Sequence, residues 1–403
     1  MSLHATWLGR ESIERIADVR LRCYGNGPAD RKSYLDRTAN DRFDDGDVLV
    51  LSDDTGDVAT ATSLSLSVNV RGTALPCQGV AWVGTVRSHR RRKIDGRGLA
   101  SRVMDAMLYR SRERRQAVSM LAPFRVSFYE SFGYGVIERQ HTWTIPLSTL
   151  PQDETPAAFA EYRDADFDAA LANRERQFRQ THGDVATDAR GLKHWLTSLN
   201  ASGFRLVDKQ GDTITSQFTL GTEIENGQAV AVVHRPYWDS PAALRRLLVL
   251  LGTLRDQYSV ARITLPTDVP INWWLRERQV PHRRVDHPAA RCQMLTRMQG
   301  RVLDVPRFVS ALKSTPTTAG VITVDVAGTA YRLEIADSQS TATATSAAAD
   351  FVVDEPTWAA IAFGDLTPAN AAMLGRLEVR RPQALPLLTA LVSGGTPYCH
   401  EYF

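Results

Sequence analysis

Apolar side chains at Ile13, Ile16, Ala17, Val19 and Leu21 keep helical spacing and predict a first helix over 12–23. Val48-Leu49-Val50-Leu51, a polar run Asp53-Asp54-Thr55-Gly56-Asp57 and a second apolar run from Val58 predict a hairpin. Leu64, Leu66, Val68 and Val70 alternate strictly, the pattern of a half-buried strand. Gly79 to Val86 forms another strand, which empties into His89-Arg90-Arg91-Arg92-Lys93-Ile94-Asp95-Gly96-Arg97-Gly98-Leu99-Ala100. Beyond this cationic loop, Leu99, Val103, Ala106, Met107 and Arg110 return to helical spacing with one apolar face. Ala117–Leu121 is a short strand. His141-Thr142-Trp143-Thr144-Ile145 is expected to close this first unit, with Pro146 and Pro151 marking a linker.

The order is repeated more faintly over 152–299. Helical patterns fill 166–200, and strands follow at Phe204–Val207, Ile214–Leu220 and Ala229–His234. Asp239-Ser240-Pro241 places a capping residue before a proline at the first helical position, and Ile263-Thr264-Leu265 is the next strand. The remaining chain differs. Arg301-Val302-Leu303-Asp304-Val305-Pro306 leads a helix, and Val321–Val326 and Ala330–Ile335 form a hairpin around Ala327-Gly328-Thr329. Ser338–Ala348 is a loop or a weakly marked strand. Phe351–Ala362 and Pro368–Leu374 suggest short helices, Leu377-Glu378-Val379 a strand, and Pro386–Val392 a last helix. The pattern predicts an α/β (α+β) protein divided at 1–150, 151–299 and 300–403.

Composition narrows the function classes. Hydrophobic content of 43% and charged content of 23% are those of an ordinary folded protein. A net charge of +3 is too small to argue for nucleic acid. Cys23, Cys77, Cys292 and Cys399 are scattered, with no CxxC and no metal spacing, so reduced thiols and no metal are expected. Met1–Ala5 lacks a signal-peptide pattern, and no apolar run approaches the ~18 residues of a membrane span. The expectation is a cytoplasmic protein without a membrane partner.

The basic loop carries the candidate chemistry. Backbone N–H groups at a helix N-terminus, the helix dipole and nearby cations hold a diphosphate. Two frames fit, Lys93-x-x-Gly96-x-Gly98 and Gly98-x-Ala100 at the helix start. The plainer alternative is a solvated basic turn that opens a helix.

With Gly79–Val86 before the loop and Phe128-Tyr129-Glu130-Ser131-Phe132-Gly133-Tyr134-Gly135 after the next strand, the region resembles the GCN5-related N-acetyltransferases (GNAT). Thr85-Val86-Arg87-Ser88-His89-Arg90-Arg91-Arg92 resembles the strand-to-loop signature of the Eis (enhanced intracellular survival) acetyltransferases. Arg301–Pro306, Phe351-Val352-Val353-Asp354 and Phe363-Gly364-Asp365-Leu366-Thr367-Pro368-Ala369-Asn370 resemble parts of the third domain of that family. The resemblance implies two fused GNAT-like domains with central mixed sheets, followed by a sterol-carrier-like domain. Acetyl-CoA would be the cosubstrate, held by Val83, Gly84, Thr85, Arg90, Arg91, Arg92, Lys93, Ile94, Asp95, Gly96, Gly98 and Ala100. Lys93 stands where the family has a Gly, so the loop is expected to be longer here.

The same resemblance gives Tyr129 the role of general acid toward the leaving thiolate, and the terminal carboxylate of Phe403 that of base toward the amine. It also implies a homo-oligomer, a hexamer in Eis-type proteins. The chain's ending in Tyr402-Phe403 is compatible with a packed terminus, and packing alone is the alternative for both residues. Tyr134, between glycines, is expected to be structural, His89 a packing or capping residue, and Glu401 a solvated side chain. The acceptor is a small polycationic amine, an aminoglycoside-like molecule or a lysine. The rival from another class is a non-catalytic acyl-CoA or lipid-binding protein.

Overall fold

The computed structural model describes residues 3–152, 159–199, 203–276, 289–313, 319–336 and 339–403. These divide into two units, residues 1–137 with 298–395 and 401–403, and residues 138–297 with 396–400. The first unit opens with β1 (His4–Leu8), α1 (Ile13–Tyr24), α2 (Arg31–Ala39), β2 (Val48–Asp53), β3 (Gly56–Val70) and β4 (Thr73–Thr85). The short β5 (Lys93–Ile94) and β6 (Arg97–Gly98) precede α3 (Leu99–Glu113), β7 (Val118–Leu121), α4 (Val126–Glu130) and β8 (Gly135–Val136).

Period-two alternation decides the layers of this unit. In β2, Leu49 and Leu51 point into the core under α3, with Ala59, Ala61 and Val80. Val48 and Val50 point the other way, into the core under α1, with Leu64 and Ala81. Each helix answers with one apolar stripe, Ile16, Val19 and Cys23 from α1 and Leu99, Val103, Met104 and Met107 from α3. The sheet runs β1-β2-β3-β4-β7, continues through Gln299–Val302 and ends on β8. β4 and β7 are parallel, as a strand–helix–strand crossover requires.

The second unit contains β9 (Arg139–Pro146), β10 (Phe159–Glu161), α5 (Phe167–Gln180), α6 (Ala189–Leu199), β11 (Phe204–Gln210), β12 (Thr213–Glu225) and β13 (Gln228–Trp238). It continues with α7 (Pro241–Thr253), β14 (Val260–Pro266) and β15 (Arg291–Thr296). Antiparallel β11-β12-β13, a helix and the parallel strand β14 repeat the order β2-β3-β4-α3-β7. The Ser240 hydroxyl accepts the Ala243 N–H at 3.2 Å, so α7 begins at the predicted cap. One expectation changes. The strand around His141–Ile145 does not close the first sheet; as β9 it lies between β14 and β15 in the second.

The chain then returns to the first unit through β16 (Gln299–Val302), which pairs with both β7 and β8. α8 (Val305–Ala311), β17 (Gly320–Val326), β18 (Thr329–Ala336), β19 (Gln339–Ala344), β20 (Phe351–Val353), α9 (Glu355–Phe363), α10 (Pro368–Met373), β21 (Leu377–Val379) and α11 (Leu385–Val392) follow. Their sheet has the order β19-β18-β17-β20-β21. Asp304, Asp354 and Thr367 cap α8, α9 and α10 by accepting N–H groups three residues on. The helix expected from Phe351 starts four residues later, because Phe351–Val353 pairs with β17 and β21 before Asp354 turns the chain. Of the Ser/Thr/Ala-rich stretch, Ser338 lies outside the described residues, and the strand β19 accounts for 339–344.

Candidate active site

The site grows from an irregularity in β4. The β3–β4 ladder pairs Thr62 with Ala81 but Thr60 with Gly84, so β4 holds one extra residue. Trp82 takes φ of 54° there, a left-handed conformation that a bulky side chain rarely adopts. On the other side of β4, pairing with β7 covers only Cys77, Gln78 and Gly79. From Val80 onward the two parallel strands separate. The edge of β4 that carries Val83, Gly84 and Thr85 is left without a strand partner on that side among the described residues. Unpaired backbone groups at such an opening offer hydrogen bonds to an extended amide-bearing ligand.

A buried network fixes the point of separation. Gln78 donates to Ser63 Oγ at 2.7 Å and to the Met107 carbonyl at 2.8 Å, and the Ser119 hydroxyl donates to Gln78 Oε1 at 2.8 Å. Tyr134 Oη lies 2.7 Å from Ser119 Oγ, and Tyr134 is fully buried. It acts as a strut of the sheet. Tyr129 lies in α4 with 3% of its surface exposed, its ring edge-on to Phe124 and Phe128. Burial, and then the neighbouring Tyr134, hold its phenol well above the ordinary tyrosine range, so it stays protonated.

The basic loop has more internal structure than its composition suggests. Asp95 and Gly96 have φ of 49° and 75°, the two positive values of a tight hairpin turn joining β5 to β6. The extra length of the loop is therefore this hairpin, and Gly96 serves the turn at its exposed tip. Gly98 is the N-cap of α3, where no side chain accepts the first-turn N–H groups, and Ala100 lies in that turn. Of the two glycine frames, Gly98-x-Ala100 is the one placed at a helix start.

The cations divide as well. Arg92 is spent on Asp53 at 3.0 Å, Arg97 on Asp105 at 2.6 Å, and Arg90 reaches the Cys23 carbonyl at 3.4 Å. The exposed side chains of Arg91 and Lys93 have no partner among the described residues. His89 lies 2.9 Å from Ser88 Oγ and 3.2 Å from Thr55 Oγ1, which makes it a tie within the loop.

Phe403 packs against the α1-side core together with Trp82 and Leu66. A Cβ added at Gly79 would sit 3.1 Å from the Phe403 ring, so the terminus lies over the residue where β4 and β7 part. Val80 and Tyr129 belong to one core and Ala81 and Phe403 to the other. The two candidate residues thus flank β4 from its two faces. Glu401 is not solvated as expected; it is fully buried and takes an ion pair from Arg42 at 3.1 Å. Sequence reasoning also missed Tyr24, whose hydroxyl would lie 2.7 Å from a Cβ at Gly84. Tyr24 is 37% exposed, yet burial pushes its phenol pKa up, with Cys23 and Tyr129 adding to the rise.

Residues 396–400 belong to the second unit. There His400 donates its N–H to Asp184 Oδ1 at 2.9 Å, and Asp184 is held by Arg174 at 2.7 Å. Glu138, also in this unit, accepts from Gln140 and from the Cys399 N–H. Burial pushes its carboxyl up to about 7 from 4.5. The folded state therefore keeps a proton that the unfolded chain releases, and stability falls as pH rises from 4.5 to about 7. Glu138→Gln should flatten this slope and raise stability at pH 8 by about 3 kcal/mol at most. Thermal unfolding from pH 5 to 8 measures it, and an unchanged slope would remove Glu138 from the pH dependence.

Comparison with known proteins now fixes the class. Residues 8–137 match the acetyltransferase (GNAT) domain family, and residues 305–400 match the sterol carrier protein domain. A Streptomyces avermitilis protein described as an uncharacterised N-acetyltransferase is 26% identical over 401 residues, covering 93% of this chain and 91% of its own. A similar Streptomyces griseus protein is 25% identical over 389 residues, covering 86% of each. The chain thus carries an acetyltransferase (GNAT) domain followed toward its C-terminal end by a sterol carrier protein domain, and it is an N-acetyltransferase. Its fold is that of Eis1 from Mycobacterium abscessus, with a TM-score of 0.80 at 19% identity over 100% of both chains. A GCN5-related N-acetyltransferase from Anabaena variabilis has the same fold, with a TM-score of 0.84 at 15% identity and full coverage of both chains.

Proposed function

We propose that this protein transfers the acetyl group of acetyl-CoA to an amine in the opening between β4 and β7. The observation that carries this reading is the convergence of three elements on one strand. They are the unpaired edge at Val83–Thr85, Tyr129 on one face and the chain terminus at Phe403 on the other. The edge would pair with the amides of the pantetheine arm. The uncapped start of α3 at Gly98, with Ala100, Arg91 and Lys93, would take the diphosphate. Arg90 and Arg92 shape the loop from Cys23 and Asp53.

In the reaction the amine nitrogen bonds to the acetyl carbon and the C–S bond breaks. The amine proton passes to the Phe403 carboxylate, directly or through a water, and the phenol proton of Tyr129 passes to the thiolate sulfur. Ordinary values of about 10 for a phenol and about 8.5 for a thiol make that second transfer uphill as an isolated step. It must therefore accompany C–S cleavage, which the close packing of Tyr129 favours by excluding water as a competing donor. Tyr129→Phe should lower kcat by about 10²-fold with little change in KM for acetyl-CoA. Thiol release from acetyl-CoA across a panel of amines tests the whole reading, and acyl-CoA binding without thiol release from any of them would overturn it.

A further inference from the structure

Tyr129 sits on a very short element. α4 is a single turn of five residues, too little to hold its own shape in water. Its geometry is therefore imposed from outside. The Tyr129 carbonyl accepts two N–H groups, from Phe132 at 2.9 Å and from Tyr134 at 3.2 Å. Each of those residues has its own carbonyl held by a side chain of β16. Arg301 Nη1 donates to the Phe132 carbonyl at 2.8 Å, and Gln299 Nε2 donates to the Tyr134 carbonyl at 3.3 Å. The same Gln299 nitrogen reaches the Val126 carbonyl at 3.3 Å, so β16 grips α4 at its start and just past its end. Gln299 has no exposed surface.

Arg301 is aimed in turn by a later part of the chain. Its Nη2 pairs with Glu355 Oε1 at 2.5 Å, and Glu355 is the first residue of α9, within the stretch that matches the sterol carrier protein domain. The turn after α4 is shaped to receive this helix start. Gly133 has φ of 80°, and a Cβ there would collide with Glu355 Oε2 and with Arg301 Nε. A Cβ at Gly135 would collide with the Pro356 carbonyl. One side of the Arg301 fork thus holds a carboxylate, and the other holds a main-chain carbonyl three residues from Tyr129.

We infer that Gln299, Arg301 and Glu355 are positioning residues for the proton donor: β16 and the start of α9 together set where the Tyr129 hydroxyl stands. This rests on the reading above, in which Tyr129 protonates the leaving thiolate. A displacement of about 1 Å at a reacting group costs on the order of 10²-fold in rate, and the side chains that prevent it need not touch the substrate. The role requires no lipid ligand of the sterol carrier domain.

The test is a double-mutant cycle on the full chain. It reads kcat for thiol release from acetyl-CoA with whichever of spermidine, kanamycin and a lysine peptide turns over fastest. Arg301→Ala and Glu355→Ala should each lower kcat by about tenfold, with KM for acetyl-CoA little changed. In a Tyr129→Phe background neither should lower it by more than about twofold further, since the group they place is gone. Glu355→Gln keeps an acceptor for Arg301 Nη2 and should stay within about threefold of the wild type. Glu355 is half-buried at a helix start, so its variants carry the test if Arg301→Ala does not fold. Equal fold losses with and without the Tyr129 hydroxyl, or an unchanged kcat in the alanine variants, overturn the inference while thiol release still upholds acetyl transfer. A full kcat in Tyr129→Phe itself would take down the inference together with the role of the tyrosine. Absence of thiol release with all three amines would instead sink the acetyl-transfer reading.

Discussion

Deleting Phe403 should lower kcat by about 10³-fold, within the range that a positioned general base contributes, and should leave acetyl-CoA binding intact. The binding elements named for the cosubstrate, the edge of β4 and the start of α3, precede the terminus by some three hundred residues of chain and do not include it. Deletion has two effects, since it moves the carboxylate back to Tyr402 and removes the ring over Gly79. Phe403→Ala separates them, because it keeps a terminal carboxylate at the same chain position and loses only the ring. If the carboxylate is the base, Phe403→Ala retains most of kcat while a C-terminal extension behaves like the deletion. Single-turnover thiol release with equilibrium binding of acetyl-CoA measures both. Full turnover by an extended chain would take the terminus out of the chemistry.

The second large effect is expected at Arg42, which touches no reacting atom. Its ion pair with Glu401 holds the last three residues on the first unit, and Glu401 has no exposed surface. Arg42→Ala would leave that carboxylate buried without its cation, at a cost of about 3–5 kcal/mol. The docked tail can escape this cost by undocking. The variant should therefore lose kcat by about 10²-fold, with a near-native melting temperature and an unchanged affinity for acetyl-CoA. Removing the stranded charge as well, in Arg42→Ala/Glu401→Gln, should recover much of kcat. That non-additivity is the signature of a pair acting through position. If the single and double variants are equally slow, Arg42 does something other than neutralise Glu401.

The parts of this molecule that were legible in its sequence are those set by neighbours in the chain. α1 and α3 followed from apolar spacing, the β2–β3 hairpin from its polar turn, and the start of α7 from Ser240 before Pro241. What could not be read depends on distant partners. β9 has the same alternation whichever sheet it joins, and its partners β14 and β15 lie more than a hundred residues downstream. β16 completes a sheet begun nearly three hundred residues earlier. Arg42 and Glu401 are separated by 359 positions, and nothing local distinguishes a buried acid near a terminus from a solvated one. The Asp95-Gly96 turn was within reach of the sequence, since that dipeptide between two short runs is a hairpin signal. The positive φ of Trp82 left no signal, because tryptophan is an ordinary strand residue.

The bulge at Trp82 also reorganises which side chains each face of β4 presents. Val80 and Val83 lie with the α3 core, while Ala81 and Trp82, though consecutive, both lie with the α1 core. Gly79 and Gly84 present their missing Cβ atoms to Phe403 and Tyr24 on that same side. Between them, glycine, alanine and glycine leave a bare strip of strand on which the indole is the one large projection. The indole of Trp82 and the ring of Phe403 thereby share one side of a single strand, with Tyr129 across it. A substitution at residue 82 would disturb the seat of Phe403 along with that face of the strand, while the packing around Tyr129 stayed as it is.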